Sequence, residues 1–333
     1  MVNWVQVAKQ QLVHRLAKKS GLQPRAVDVD DAGTVMNFWV PKDKLPACPE
    51  PAAERRKEEA KRDSSRLAVV LLHGFAGDGI LTWVLQVGAL AKHYDVYVPD
   101  LLFFGGSALP AGGGGGRSPA FQADCVAAAL RRLGVGRCAV VGFSYGGFVA
   151  FRMAEAHPGL VASVVVTGSL VDMTCSTSER MLRRLGAASF AELLLPGDVA
   201  GLRSLFAAGT HRKWWFPDFV LKDYLELMMF NRKERAELLE GMVISDEDAA
   251  APSFRQDILL LWGENDSIFT VELASKLKEQ LGERAALRSV REAGHLVMLE
   301  RPRAFNRCLR EFLLLQQQPR TTTTAMAASK AGL

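Results

Sequence analysis

From residue 67 onward the chain alternates short aliphatic runs with stretches of helix length. The runs cover residues 67–72, 96–98, 138–141, 161–166, 258–262 and 287–290, and most of their positions are β-branched or aliphatic. Strands that are apolar on both faces are covered on both, as in a parallel sheet wound with helices. Ahead of them, residues 2–19 place Val5, Ala8, Leu12 and Leu16 at helical spacing, while Lys9, Arg15, Lys18 and Lys19 fall mostly elsewhere. That spacing predicts a basic amphipathic helix, ended by Gly21 and Pro24. Residues 27–40 read as a hairpin turning near Asp31-Ala32-Gly33. Residues 41–66, rich in Pro, Glu, Lys and Arg, read as a solvated, mobile loop.

One interval breaks the alternation. Between Thr167 and Ile258 lie about ninety residues, far more than one crossover helix needs. Helical stretches over 178–185, 198–208 and 219–229 predict an inserted helical cap at 172–252. The chain therefore divides into an N-terminal helix (1–24), a core in two parts (25–171 and 253–315), the cap between them, and a Gln- and Thr-rich tail (316–333) without expected structure. The fold class is α/β, with a mostly parallel central sheet flanked by helices.

Composition limits the classes of function. Hydrophobic residues make up 49% and charged residues 23%, which suits a globular protein with a substantial core. The charge of +5, from 41 basic and 36 acidic residues, is too thin an excess for a nucleic-acid footprint, so no nucleic-acid partner is expected. Five dispersed cysteines form no C-x-x-C pair and have no histidines at ligand spacing, which argues against a metal site and for a reducing, intracellular, cytoplasmic setting. Polar residues at Asn3, Gln6, Lys9, Gln10 and Gln11 interrupt any signal-peptide core, and no run approaches the roughly 18 apolar residues of a span. The basic N-terminal helix has two readings: packing on the domain, which is favoured, or peripheral contact with an anionic membrane. The glycine run at 112–116 lacks the strand-to-helix context of a phosphate cradle. Nothing in the sequence indicates an oligomeric state.

The candidate chemistry starts at Gly142-Phe143-Ser144-Tyr145-Gly146, a G-x-S-x-G stretch between an expected strand and an expected helix. A serine on such a turn holds a strained backbone, and its flanking glycines let strand and helix approach, so that Oγ projects into a cleft. Serine needs a base to take its proton, and the base needs a carboxylate to hold its tautomer. His295 follows the last expected strand and Asp266 follows the one before it, in the order Ser, Asp, His. Asp172 and Glu264 are alternatives for the acid. Asp266 is favoured, with Asp172 expected to cap the first helix of the insert. The Tyr145 amide and the Phe75 amide, the latter at the end of Leu72-His73-Gly74-Phe75, are the candidate oxyanion donors, with His73 as a loop-orienting residue. Trp214 and Trp215 in the cap, with Phe143, are candidates for an apolar substrate wall.

These motifs together resemble the α/β-hydrolase superfamily, in particular plant and bacterial members with a helical cap. His73-Gly74-Phe75 resembles the oxyanion loop, Gly142 to Gly147 the nucleophile elbow, and Trp262-Gly263-Glu264-Asn265-Asp266 the acid turn. Gly294-His295-Leu296-Val297-Met298-Leu299-Glu300-Arg301-Pro302 is similar to the histidine loop of monoacylglycerol-lipase-like and carboxylesterase-like members. The resemblance spans about residues 67–315 and implies a serine hydrolase that acts on a small-molecule ester, with no metal or organic cofactor. Epoxide hydrolases and haloalkane dehalogenases of this fold alkylate an aspartate at the elbow, where this chain has Ser144. A hormone-receptor role, hydroxynitrile lyase chemistry and acyl transfer on the same triad stay open beside esterase activity.

Overall fold

The computed structural model describes residues 2–44, 66–110, 116–249 and 251–317. The expectations for the 41–66 loop, the glycine run and the tail fall largely outside them. The chain opens with α1 (Trp4–Ala8), a π turn (Lys9–Val13) and α2 (His14–Lys19), followed by the hairpin β1 (Leu22–Asp28) and β2 (Val35–Pro41). The core then runs β3 (Ala68–Leu72), α3 (Gly79–Leu90), β4 (Asp95–Pro99), α4 (Pro119–Arg132), β5 (Cys138–Phe143), α5 (Tyr145–Ala156) and β6 (Val161–Thr167).

An inserted segment follows: β7 (Met173–Thr174), α6 (Cys175–Leu185), α7 (Phe190–Leu194), α8 (Val199–Gly209), α9 (Asp218–Met228), α10 (Arg232–Glu240) and β8 (Val243–Ile244). The core resumes with β9 (Asp257–Gly263), α11 (Val271–Leu281), β10 (Ala285–Val290), α12 (Val297–Glu300) and α13 (Pro302–Gln317).

Eight strands form one sheet in the order β1-β2-β4-β3-β5-β6-β9-β10. β1 and β2 are antiparallel to their neighbours, and the strands from β4 to β10 run parallel. The period of two sorts the buried strand residues into two layers. Val70, Leu72, Cys138 and Val140 pack with α4, α5 and α11, and Val69, Leu71, Ala139 and Val141 pack with α3, α13 and α2. Local sequence sets the helix starts. The Asp78 carboxylate accepts the Leu81 N–H at 3.0 Å to begin α3, and Ser118 caps α4 with Pro119 in its first turn.

Pro24 does not lie in a helix-ending turn but inside β1, at the edge of the sheet, where its missing N–H interrupts no ladder. The N-terminal helix also buries a different row from the expected one: Val13 and Ala17 are buried, whereas Leu12 and Leu16 are exposed. Asp172 does not cap α6. Thr174 does, by accepting the Thr177 N–H, while Asp172 pairs with Arg152. The insert contains α7, α10 and the short parallel pair β7–β8 in addition to the three helical stretches read from the sequence. Among the described residues no helix is long and apolar enough to cross a membrane.

Candidate active site

β5 delivers Ser144 at the carboxyl edge of the sheet. The turn into α5 forces the residue to φ 51° and ψ −119°, a region that side chains avoid and that costs about 1–3 kcal/mol. Hydrogen bonds hold it there, from the Ser144 N–H to the Thr167 carbonyl at 2.9 Å and from the Gly147 N–H to the Ser144 carbonyl at 2.8 Å. The helix must pass close to β3. A Cβ on Gly146 would stand 2.5 Å from the Leu72 carbonyl oxygen and 2.6 Å from that of His73, so only glycine fits.

His295 and Asp266 arrive from the turns after β10 and β9. The His295 Nδ1–H donates to Asp266 Oδ2 at 2.8 Å, which leaves Nε2 free to accept a proton. The other oxygen, Oδ1, accepts the N–H groups of Ile268 and Phe269, both at 2.9 Å, so the carboxylate is fixed from both sides. Both residues are buried. Phe269 stacks on the imidazole with centroids 5.7 Å apart, and Phe143 packs on it at 4.7 Å. Gly168, at φ +59°, gives the ring its room: a Cβ there would come within 2.5 Å of His295 Nδ1. Glu264 is exposed and accepts from Ser289 Oγ, and it makes no contact with the imidazole. Among the described residues Asp266 alone of the three candidate acids meets His295.

Ser144, His295, Phe75 and Tyr145 line one cavity of about 390 Å³. Among the described residues neither the Phe75 nor the Tyr145 N–H has a protein acceptor, so both amides are free to donate. The loop that carries Phe75 is held from below. The Leu101 N–H donates to His73 Nε2 at 2.9 Å, which assigns the proton to Nδ1, and Nδ1 donates to the Gly74 carbonyl at 2.7 Å. Asp100 accepts the Gly79 N–H at 2.9 Å and the Asn37 amide at 2.8 Å, and burial together with the nearby Asp78 charge pushes its carboxyl up to about 6.

Burial lowers His73 from 6.5 to about 4. The unfolded chain therefore binds a proton in that interval that the native state refuses. Stability carried by neutral His73 is complete above pH 6.5 and is lost as pH falls toward 4. With about 1.4 kcal/mol per unit, the loss approaches about 3 kcal/mol. Urea unfolding at pH 7 and pH 4.5 should show a larger drop for the wild type than for His73→Asn. Equal drops would mean that the histidine is not held neutral.

The rest of the cavity is largely apolar, and among the described residues no Asp, Glu, Lys or Arg lines it. Much of its wall comes from the insert, through Leu205, Phe206, Trp214, Phe216 and Leu221, and Tyr224 closes one side with its hydroxyl donating to the Ala76 carbonyl at 2.6 Å. Trp214 and Phe143 thus stand where a substrate wall was expected, but Trp215 does not. It is 74% exposed, because residues 214–216 alternate inward and outward in an irregular segment.

Two residues to which the sequence assigned no individual role fasten the insert to the core. Glu300 accepts the N–H groups of Gly294, His211 and Arg212, at 2.6, 3.1 and 2.9 Å, joining the histidine loop to the insert. Arg235 is buried, with its guanidinium 4.1 Å from the Phe104 ring and 4.6 Å from the Phe230 ring, and its Nε donates to the Phe103 carbonyl at 3.0 Å. Burial lowers its pKa only to about 10, so it remains a cation held by ring faces.

The family model described as the alpha/beta hydrolase family matches residues 69–307. Epoxide hydrolase 3 of Xenopus tropicalis is 23% identical over 331 residues, covering 87% of each chain. The 2-hydroxymuconate semialdehyde hydrolase of Pseudomonas sp. (strain CF600) is 25% identical over 264 residues, 74% of this chain and 86% of that protein. Among solved structures, a membrane phospholipase A described as a bacterial virulence factor superposes with a TM-score of 0.72 at 21% identity, over 95% of this chain and 92% of that one. The 2-hydroxy-6-oxo-6-phenylhexa-2,4-dienoate hydrolase of Rhodococcus sp. strain RHA1 gives a TM-score of 0.66 at 19% identity, over 88% and 99%. At these identities the structural likeness speaks for the fold alone.

Proposed function

The chain belongs to the alpha/beta hydrolase family, and from that premise we propose that it is a serine hydrolase that cleaves apolar carboxylic esters through an acyl-enzyme. Ser144 attacks the carbonyl carbon as His295 Nε2 takes its proton, and Asp266 stabilises the imidazolium. The Phe75 and Tyr145 amides hold the oxyanion. The imidazolium then protonates the leaving alcohol, and water, activated by the same ring, releases the acid. The observation that carries this reading is the convergence of a strained serine and a carboxylate-bound histidine on one cavity with two free amides. The likeness to an epoxide hydrolase does not transfer that chemistry, because an aspartate is needed at the elbow to form the alkyl ester and this chain has Ser144. A fluorophosphonate probe should label Ser144, located by mass mapping, and labelling elsewhere or nowhere would remove the nucleophile.

The insert acts as a cap that sets substrate choice by apolar burial. A largely apolar cavity of about 390 Å³ suits a medium-length acyl chain or an aromatic acyl group. Charged acyl groups would find no partner in the wall and would be disfavoured. Trp214→Ala should shift the preferred acyl group toward bulkier esters by several-fold in kcat/KM, whereas Trp215→Ala should leave the ranking unchanged. A parallel loss on every ester for Trp214→Ala would show that this ring only supports the cap.

A further inference from the structure

The N-terminal helical segment lies before the stretch that the family model matches, and it carries two rows of side chains at a spacing of four residues. Val5, Lys9, Val13 and Ala17 form the inner row. Val5 reaches the cavity wall, Lys9 pairs with Asp78 at the start of α3, and Val13 and Ala17 are buried in the layer with α3 and α13. Beside it runs a second row, Trp4, Ala8, Leu12 and Leu16, which faces water, with Trp4 59%, Leu12 60% and Leu16 42% exposed. The π turn keeps both rows in line. Four residues overshoot one α-helical turn by about 40°, and a wider turn takes up part of that excess.

The inner row accounts for the packing of this helix, but packing leaves the outer row unexplained. Its surroundings give it chemistry. Residues 2–20 contain no acidic side chain, and Arg15, Lys18 and Lys19 are exposed at the end of the helix. The start of the helix reaches the cavity through Val5 of the inner row. The Asn3 side-chain amide donates to the Asp223 carbonyl at 2.9 Å and the Trp4 N–H to its carboxylate at 2.7 Å, which lays the start of the helix along α9, where Phe219 is exposed one turn before Asp223. On α3, Leu81 and Val84 line the cavity and Leu85 is exposed.

Exposed apolar residues from three elements thus make a rim on the side of the molecule where Val5 lines the apolar cavity, and the helix that carries most of them ends in exposed cations. An apolar stripe flanked by cations binds anionic lipid by burying its side chains at the headgroup boundary while the cations meet the phosphates. We propose that this rim docks on an anionic lipid surface and that the protein draws ester substrate from that surface into the cavity. The substrate half rests on the esterase reading. The docking half does not.

The two halves separate in one experiment. Full-length Ser144→Ala protein is sedimented with vesicles of phosphatidylcholine alone and of phosphatidylcholine mixed with phosphatidylglycerol. Binding should favour the mixed vesicles, weaken with salt, and fall about tenfold or more when Leu12→Glu and Leu16→Glu, or Lys18→Glu and Lys19→Glu, are added. With Ser144 restored, the same changes should leave hydrolysis of a dissolved short-chain ester unaltered and lower that of a vesicle-borne ester about tenfold. Unchanged binding in both double variants overturns the docking, as does an absence of vesicle binding. So does light scattering that shows dimers split by Leu12→Glu and Leu16→Glu, since the row would then be covered by a second copy. Vesicle binding without turnover of the dissolved ester would leave the docking standing and remove the esterase reading.

Discussion

Replacing Ser144 by alanine is expected to lower kcat for a chromogenic acyl ester by about five orders of magnitude with the fold intact. The size follows from the position of the hydroxyl: the oxygen lost is the atom that would bond to the acyl carbon, and the Thr82 and Tyr224 hydroxyls that also line the cavity donate to the Asp78 and Ala76 carbonyls. Alanine removes no packed methyl group and retains the bonds to the Thr167 carbonyl and from the Gly147 N–H, which are made by backbone atoms, so far-ultraviolet circular dichroism and the urea midpoint should hardly move. His295→Ala should cost a similar amount, and the double variant little more than either single one, because each member of the unit depends on the others. Residual turnover in the double variant equal to the product of two large single losses would show that serine and histidine act in separate steps.

The second large effect is expected at Asp266. Asparagine at this position still offers its oxygen to the Ile268 and Phe269 N–H groups, where Oδ1 now accepts both. Its amide nitrogen then faces His295 Nδ1, and two donors oppose each other. The imidazole has to place its proton on Nε2, the nitrogen that must accept from Ser144. Asp266→Asn should therefore lower kcat about 10⁴-fold, with the loss greatest where the ring must be neutral and poised to accept. Asp172→Asn breaks a pair with Arg152 of α5, which does not involve His295, and should change kcat less than about twofold. A comparison of kcat/KM for the two variants on one ester decides the matter, and the reverse ranking would move the acid to the earlier strand.

The parts of this site that could be read from the chain are those in which chemistry dictates residue type and strand ends dictate place. Ser144, Asp266 and His295 each follow a short apolar run, and the runs were visible because a parallel strand is apolar on both faces. What stayed hidden depended on contacts between distant residues or on local backbone geometry. The burial of Arg235 needs the rings of Phe104 and Phe230 and the Phe103 carbonyl, while its own neighbours, Arg232, Lys233 and Glu234, are all charged and carry no sign of a buried cation. The buried row of the N-terminal helix was misread because a π turn changes the phase that a 3.6-residue period assumes, exchanging Leu12 and Leu16 for Val13 and Ala17. Trp214 and Trp215 could not be told apart because they lie between helices, where no period sorts inward from outward.

The shortest strands in the molecule bear on how such a protein can change over time. β7 and β8 pair Met173 with Val243 and Thr174 with Ile244, so the chain leaves the core and returns to it through one two-residue parallel clasp. The loop between these points, about seventy residues long, has its ends fixed at a single place, and the entropy of closing it grows only slowly with its length. Between the fastenings at Glu300 and Arg235, helices can be lengthened or exchanged inside that loop without moving its two ends. The clasp thus makes the insert a cassette: the helices between residues 174 and 243 can vary while the sheet that holds Ser144, His295 and Asp266 keeps its form.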